Sequence, residues 1–129
     1  MGGMKLTPVP IVDEIEKSLP FWVDRLGFQK TVEVPEGDRL GFVILANAGA
    51  ELMLQSWASV AKDSPASMWP QRGFSHGLFI EVEDFADIRR RLEGWPVATP
   101  ERVTFYGMRE IGVHEPGGHV VVFAANEAK

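Results

Sequence analysis

The chain has 129 residues, 45% of them hydrophobic and 24% charged, which fits one globular domain able to bury its own core. A net charge of −5 argues against a nucleic-acid partner, because such binding rests on a basic surface that displaces counterions. No apolar run is long enough for a bilayer, the start lacks a signal-peptide layout, and Leu6 breaks the myristoylation pattern that Gly2 begins. With no cysteine there is no disulfide framework and no thiolate chemistry, so the expected setting is cytoplasmic, with no membrane partner.

Alternating apolar residues over Leu6–Val12 predict a strand, which Pro8 and Pro10 restrict to an edge or a sheet end. Ile15, Leu19, Trp22 and Leu26 recur at helical spacing, and Gly27 stands where a C-terminal cap belongs. Pro20 is tolerated if that helix starts near Glu16, since the first amides of a helix lack intrahelical partners. Strands follow at Phe28–Val34, Leu40–Ala46 and Ala50–Ser56, joined by Pro35-Glu36-Gly37-Asp38 and Asn47-Ala48-Gly49. Residues 57–73, rich in Ser, Ala and Pro, read as a connecting arm.

The same order then recurs. Gly77–Val82 reads as a strand, and Asp84 caps a helix whose Phe85, Ile88 and Leu92 share a side, leaving Arg89, Arg90 and Arg91 to solvent. Val97–Phe105, Met108–His114 and His119–Ala124 read as strands, the last two joined by Glu115-Pro116-Gly117-Gly118. Val12-Asp13-Glu14-Ile15 matches Val82-Glu83-Asp84-Phe85, Phe42 and Ile44 match Ile111 and Val113, and Leu52 and Leu54 match Val121 and Phe123. A repeat of this length constrains the fold more than any single strand does. The expected fold is α+β: one domain, 1–129, of two tandem βαβββ modules at about 4–56 and 74–125. In the last strand Val120, Val122 and Ala124 oppose Val121 and Phe123, so both faces are apolar and both should be covered.

Catalytic patterns are scarce. Ser56, Ser59, Ser64, Ser67 and Ser75 have no nucleophile-elbow context, and no glycine-rich phosphate loop occurs. Asp13/Glu14 and Glu83/Asp84 fit helix starts better than a catalytic carboxylate pair. Arg109 and Glu110 alternate across a strand, where pairing or interface contact is favoured over ligand contact. His114 and His119 flank the Pro-Gly-Gly turn and read as solvated turn residues, while Trp22 and Trp95 read as core or helix-end packing. No catalytic residue is assigned.

Thr7-Pro8-Val9, Glu16-Lys17-Ser18-Leu19-Pro20-Phe21-Trp22 and Leu26-Gly27-Phe28 resemble, in order and spacing, the opening of the glyoxalase, bleomycin-resistance and ring-cleaving dioxygenase superfamily, built on the vicinal oxygen chelate plan. Tyr106-Gly107-Met108-Arg109-Glu110 followed by Glu115-Pro116-Gly117-Gly118-His119 resembles its closing segment, above all in bleomycin-resistance-type members. The resemblance implies a curved mixed sheet around a cleft, with helices on the outer face. In the family's metal enzymes four inward-facing strand positions hold a divalent ion, and these fall here on Thr7, Met53, Gly77 and Val122. Glycine and valine offer no ligating side chain, and Thr and Met suit a hard or borderline ion poorly, so neither a metal nor another cofactor is expected. His76 neighbours Gly77 but faces the other side of a regular strand, and reads as a surface or hydrogen-bonded histidine rather than a ligand.

What remains is a concave face of Thr7, Val9, Ile11, Met53, Gln55, Phe79, Val120 and Val122, with Glu51 and Glu81 adding negative charge. Trp57 and Trp69 on the arm either cover this face or pack a dimer interface. The expected function is metal-free binding of a small aromatic or cationic compound by a homodimer. A metal-dependent lyase, isomerase or dioxygenase of the same superfamily is the alternative.

Overall fold

The βαβββ order occurs twice in the computed structural model, which describes residues 5–63, 77–104 and 107–127. The chain divides into two compact units, Met1–Gly73 and Phe74–Lys129, and each carries one four-stranded mixed sheet. The first sheet holds β1 (Ile11–Val12), β2 (Gln29–Glu36), β3 (Arg39–Asn47) and β4 (Ala50–Ser56) in the order β1-β4-β3-β2. The second holds β5 (Gly77–Glu81), β6 (Val97–Val103), β7 (Met108–Glu115) and β8 (His119–Asn126) in the order β5-β8-β7-β6. In each, the first strand runs parallel to the last and the other neighbours are antiparallel.

Period-two alternation puts Val43, Leu45, Leu52 and Leu54 on one face of the first sheet, each at most 3% exposed. Ile15, Phe21, Trp22, Leu26 and Phe28 are buried in the same unit, and Trp22 meets Phe21 and Phe28 edge-on at 5.0 and 5.2 Å. Each such large apolar side chain contributes about 1.5–3 kcal/mol on burial, so this cluster outweighs any single ion pair on the surface.

The helix differs from the expected continuous one. Regular α1 spans only Ile15–Leu19, and the chain continues from Pro20 to Arg25 as a π-helical turn. Proline has no amide hydrogen to return to the carbonyl of Glu16, so the four-residue bonding pattern breaks at that point. Leu26 N–H instead bonds Phe21 O, five residues back, at 3.2 Å, and Gly27 leaves the helix at φ +79°. The register change keeps Phe21 and Trp22 on the buried side.

The connecting arm is not wholly irregular: its first part is helix α2, Trp57–Asp63. Ser56 starts it, its Oγ accepting the Ser59 amide at 3.1 Å, the ordinary way a serine satisfies an orphan donor at a helix N-terminus. The β3–β4 connection is a two-residue loop, Ala48-Gly49, in which Ala48 sits at φ +53°.

In the second unit Asp84 caps helix α3 (Phe85–Arg91), accepting from Asp87 N–H at 3.1 Å. Phe85, Ile88 and Leu92 are buried, as are Val113, Val121 and Phe123. Strand β6 ends at Val103 and has two register shifts, so the expected strand end at Phe105 lies outside the described residues. The repeat alignment needs one correction. Gln55 pairs with Phe42 and Ala124 with Glu110, so β3 and β7 match as Val43 to Ile111 and Leu45 to Val113. The expected match of Phe42 and Ile44 was one residue out, and one residue reverses the face.

Candidate functional site

On the side of the first sheet opposite its buried leucines, cross-strand rows can be followed. Ile11, Gln55, Phe42 and Val34 form one row, and Met53, Ile44 and Val32 the next. Phe42, Ile44 and Met53 are half-buried, while Val32 and Val34 are 41% and 46% exposed. Thr7 and Val9 precede β1, where the parallel pairing continues through Met53 N–H to Pro8 O (3.0 Å) and Gln55 N–H to Pro10 O (3.3 Å). Both prolines act only as acceptors, which is why a proline-containing edge is compatible with this sheet. Glu51 lies on the same face, where the exposed ammonium of Lys5 meets it at 2.5 Å.

The second sheet repeats the rows. Phe79, Val122, Gly112 and Thr99 form one, and Glu81, Ala124, Glu110 and Arg102 the other, with Gly77 beside Val120. Phe79 is 54% exposed, Glu81 is exposed, and Val120 and Val122 are half-buried. Glu110 is buried and Arg102 reaches it at 3.5 Å, whereas Arg109 belongs to a different cluster. There the carboxylate of Glu101 receives Arg89 (2.6 Å) and Arg109 (2.8 Å), and Arg109 also holds Glu127 at 2.9 Å. The Arg89 and Arg109 hydrogen bonds bring Glu101 down to about 2, and bonding from Arg109 likewise lowers Glu127. Arg109 is thus paired with two carboxylates of its own unit.

Trp69, an expected site residue, and His76, read as a surface or hydrogen-bonded histidine, lie outside the described residues. Trp57 is half-buried at the first position of α2. His114 is exposed, but His119 is not a solvated turn residue: it is buried, and so is its cross-strand neighbour Glu115, which accepts Gly117 N–H at 2.6 Å. The Glu115 carboxylate holds the β7–β8 turn, and the His119 side chain is turned away from water.

Thr7, Met53, Gly77 and Val122, the positions that would carry a metal, do not fit one, because two have no donor atom in the side chain. Among the described residues no group of three or more His, Asp or Glu side chains comes together. No helix among them is long and apolar enough to cross a membrane.

Sequence reasoning missed one feature. Val34, Pro35, Glu36, Phe42, Gln55 and Ser59 line an open depression of ≈ 390 Å³ in the first unit. It forms where β2 shifts register between Val34 and Pro35 and where α2 leaves β4.

Residues 9–123 match the model of the Glyoxalase/Bleomycin resistance protein/Dioxygenase superfamily, and the chain belongs to that superfamily. A search of curated proteins finds no match to it. Among solved structures, TioX from Micromonospora sp. ML1 aligns with a TM-score of 0.77 and 16% identity, over 96% of this chain and 99% of TioX. The lactoylglutathione lyase of Agrobacterium tumefaciens aligns at 0.75 and 15%, over 98% of this chain and 96% of its own. The bleomycin-binding protein of bleomycin-producing Streptomyces verticillus, solved with copper(II)-bleomycin, aligns at 0.65 and 24%, over 98% and 99%. At these identities the likeness is one of fold.

Proposed function

We propose that this protein is a metal-free, cytoplasmic small-molecule-binding protein that sequesters a planar aromatic or cationic compound as a homodimer. The observation that carries the reading is the apolar open face of the first sheet, where Phe42, Ile44, Met53, Val32 and Val34 stand side by side, with Gln55, Glu51 and, at the corner with α2, Glu36 and Ser59 among their polar neighbours. Thr7 and Val9 precede the first strand of that sheet, Phe79, Val120 and Val122 give the second sheet an apolar face of its own beside Glu81, and Trp57 and Trp69 are the aromatic residues proposed to meet the ligand. Small-molecule sites are commonly lined this way, by apolar surface with a few polar groups. The lack of donor atoms at Gly77 and Val122 favours binding over the metal-assisted chemistry known elsewhere in the superfamily.

The test is a thermal-shift screen of EDTA-treated protein against aromatic amines and glycopeptide-like compounds, followed by titration of tryptophan fluorescence. A ligand at a hundred times its Kd adds about 2.7 kcal/mol of stability, a rise on the order of 5–10 °C for a chain of this size. A screen in which only small aliphatic or anionic compounds stabilise the protein contradicts the reading.

A further inference from the structure

We propose that the depression between β2, β4 and α2 is the subsite that reads a protonated amino group on a flat apolar ligand, with Glu36 as its counter-charge. The proposal rests on the ligand-binding reading above and adds the chemistry that selects the ligand. Phe42 and Val34 are cross-strand neighbours and give the depression an apolar wall, which Pro35 extends at the register shift. Beside them stand Glu36, Gln55 (the cross-strand neighbour of Phe42) and Ser59, so among the described residues the formal charge in the lining is one carboxylate.

The polar side is fixed in place. Gln55 Nε2 donates to Ser59 Oγ at 3.1 Å, and the Ser59 amide donates to the buried Ser56 Oγ at 3.1 Å. Gly41 lies beneath: a Cβ there would stand 2.7 Å from Glu36 Cβ and 3.3 Å from Ser59 Cβ, so Glu36 and Ser59 close over a residue that has no side chain. Glu36 already meets an ammonium, that of Lys62, at 3.2 Å. The Lys62 side chain is 73% exposed and that of Glu36 only 23%, so the lysine is a loosely held counter-ion from the solvent side. A ligand ammonium that reaches Glu36 while its ring lies against Phe42 gains the same charge contact together with apolar burial and ring contact, and takes the place of Lys62. An anion would meet Glu36 unfavourably, and one carboxylate is too few ligands for a metal ion.

Three probes that share one ring system separate these cases: 2-naphthylmethylammonium, 2-naphthylmethanol and 2-naphthoate, titrated calorimetrically against the full chain. The cation should bind about tenfold more tightly than the alcohol, and naphthoate most weakly. Glu36→Gln, which preserves the packing over Gly41, should bring the cation to within about threefold of the alcohol and leave the alcohol unchanged. Lys62→Ala, at an exposed position that does not threaten folding, should tighten the cation by about two- to fivefold. Equal affinity for cation and alcohol, a preference that survives Glu36→Gln, or no gain in Lys62→Ala overturns the subsite. So does absence of binding by all three probes. The wider ligand-binding reading fails separately, if the broader aromatic screen also finds no ligand.

Discussion

Glu36 stands so close over Gly41 that a methyl group at position 41 would lie 2.7 Å from Glu36 Cβ. That atom is at the root of its side chain and cannot swing away, and Ser59 Cβ blocks the other side at 3.3 Å. Gly41→Ala must therefore separate β2 and α2 from β3. Overpacking of this kind costs about 1–3 kcal/mol. Chemical denaturation should show that loss, together with weaker binding of any ligand held at this corner. Gly49→Ala, where nothing lies within 4 Å of the added carbon, should change stability far less.

The carboxylate of Glu101 ties β6 to α3 and β7 through Arg89 and Arg109. Its pKa is lowered from 4.5 to about 2, so the folded state favours the ionised form. The resulting stability is fully present above the unfolded value and is lost as pH falls from about 4.5 through about 2. Glu101→Gln should accordingly lower the melting temperature at pH 7, with the difference from wild type shrinking below pH 4 and closing near pH 2. A difference independent of pH over that range would place the role of Glu101 in packing instead.

Ala48 occupies the left-handed region, at φ +53°, where an L side chain crowds its own carbonyl. Asparagine tolerates that conformation and suits a short hairpin loop. Ala48→Asn should raise stability by about 0.5–1 kcal/mol, read as a higher denaturation midpoint with an unchanged slope. Loss of stability would mean that the loop depends on the alanine methyl.

Much of this architecture was legible because the alternation in Leu52-Met53-Leu54 and in Val120–Phe123 survives any small error in strand limits. The repeat fixed the βαβββ element order of both modules, while the pairing order within each sheet came from the structure. Position within a strand was less secure: matching Phe42 to Ile111 missed by one residue, and side-chain direction has period two. Helix α2 was hidden by its short, Ser- and Ala-rich sequence, which lacks a long apolar stripe. The π turn was hidden because Pro20 alone does not say whether a helix ends or changes register. His119 looked solvated beside Pro116-Gly117-Gly118, yet its cross-strand pairing with Glu115 puts it among buried residues. The half-buried apolar positions of each sheet were readable from Met53 and Val122, whereas the Glu36 corner depends on a strand irregularity that no residue pattern announces.

Val32 and Val34 in the first unit, and Phe79, Val97 and Val103 in the second, are each 41% exposed or more and leave apolar surface open to solvent. We expect a symmetric homodimer that covers part of it. Light scattering at high micromolar concentration should give twice the chain mass, and a 14.3 kDa species would contradict this.

The central claim, that the open sheet face binds an aromatic ligand without a metal, is tested most directly by calorimetric titration of EDTA-treated protein with the strongest ligand from the screen. Wild type should bind with no stoichiometric Zn, Ni, Fe or Mn present. Met53→Lys, which sets a charge among Ile44 and Val32, should weaken binding by more than about tenfold, while Arg90→Ala on the outer helix should leave it unchanged. Binding that disappears with EDTA and returns with one equivalent of a divalent metal, or a Met53→Lys variant that folds and binds as wild type does, would contradict the account.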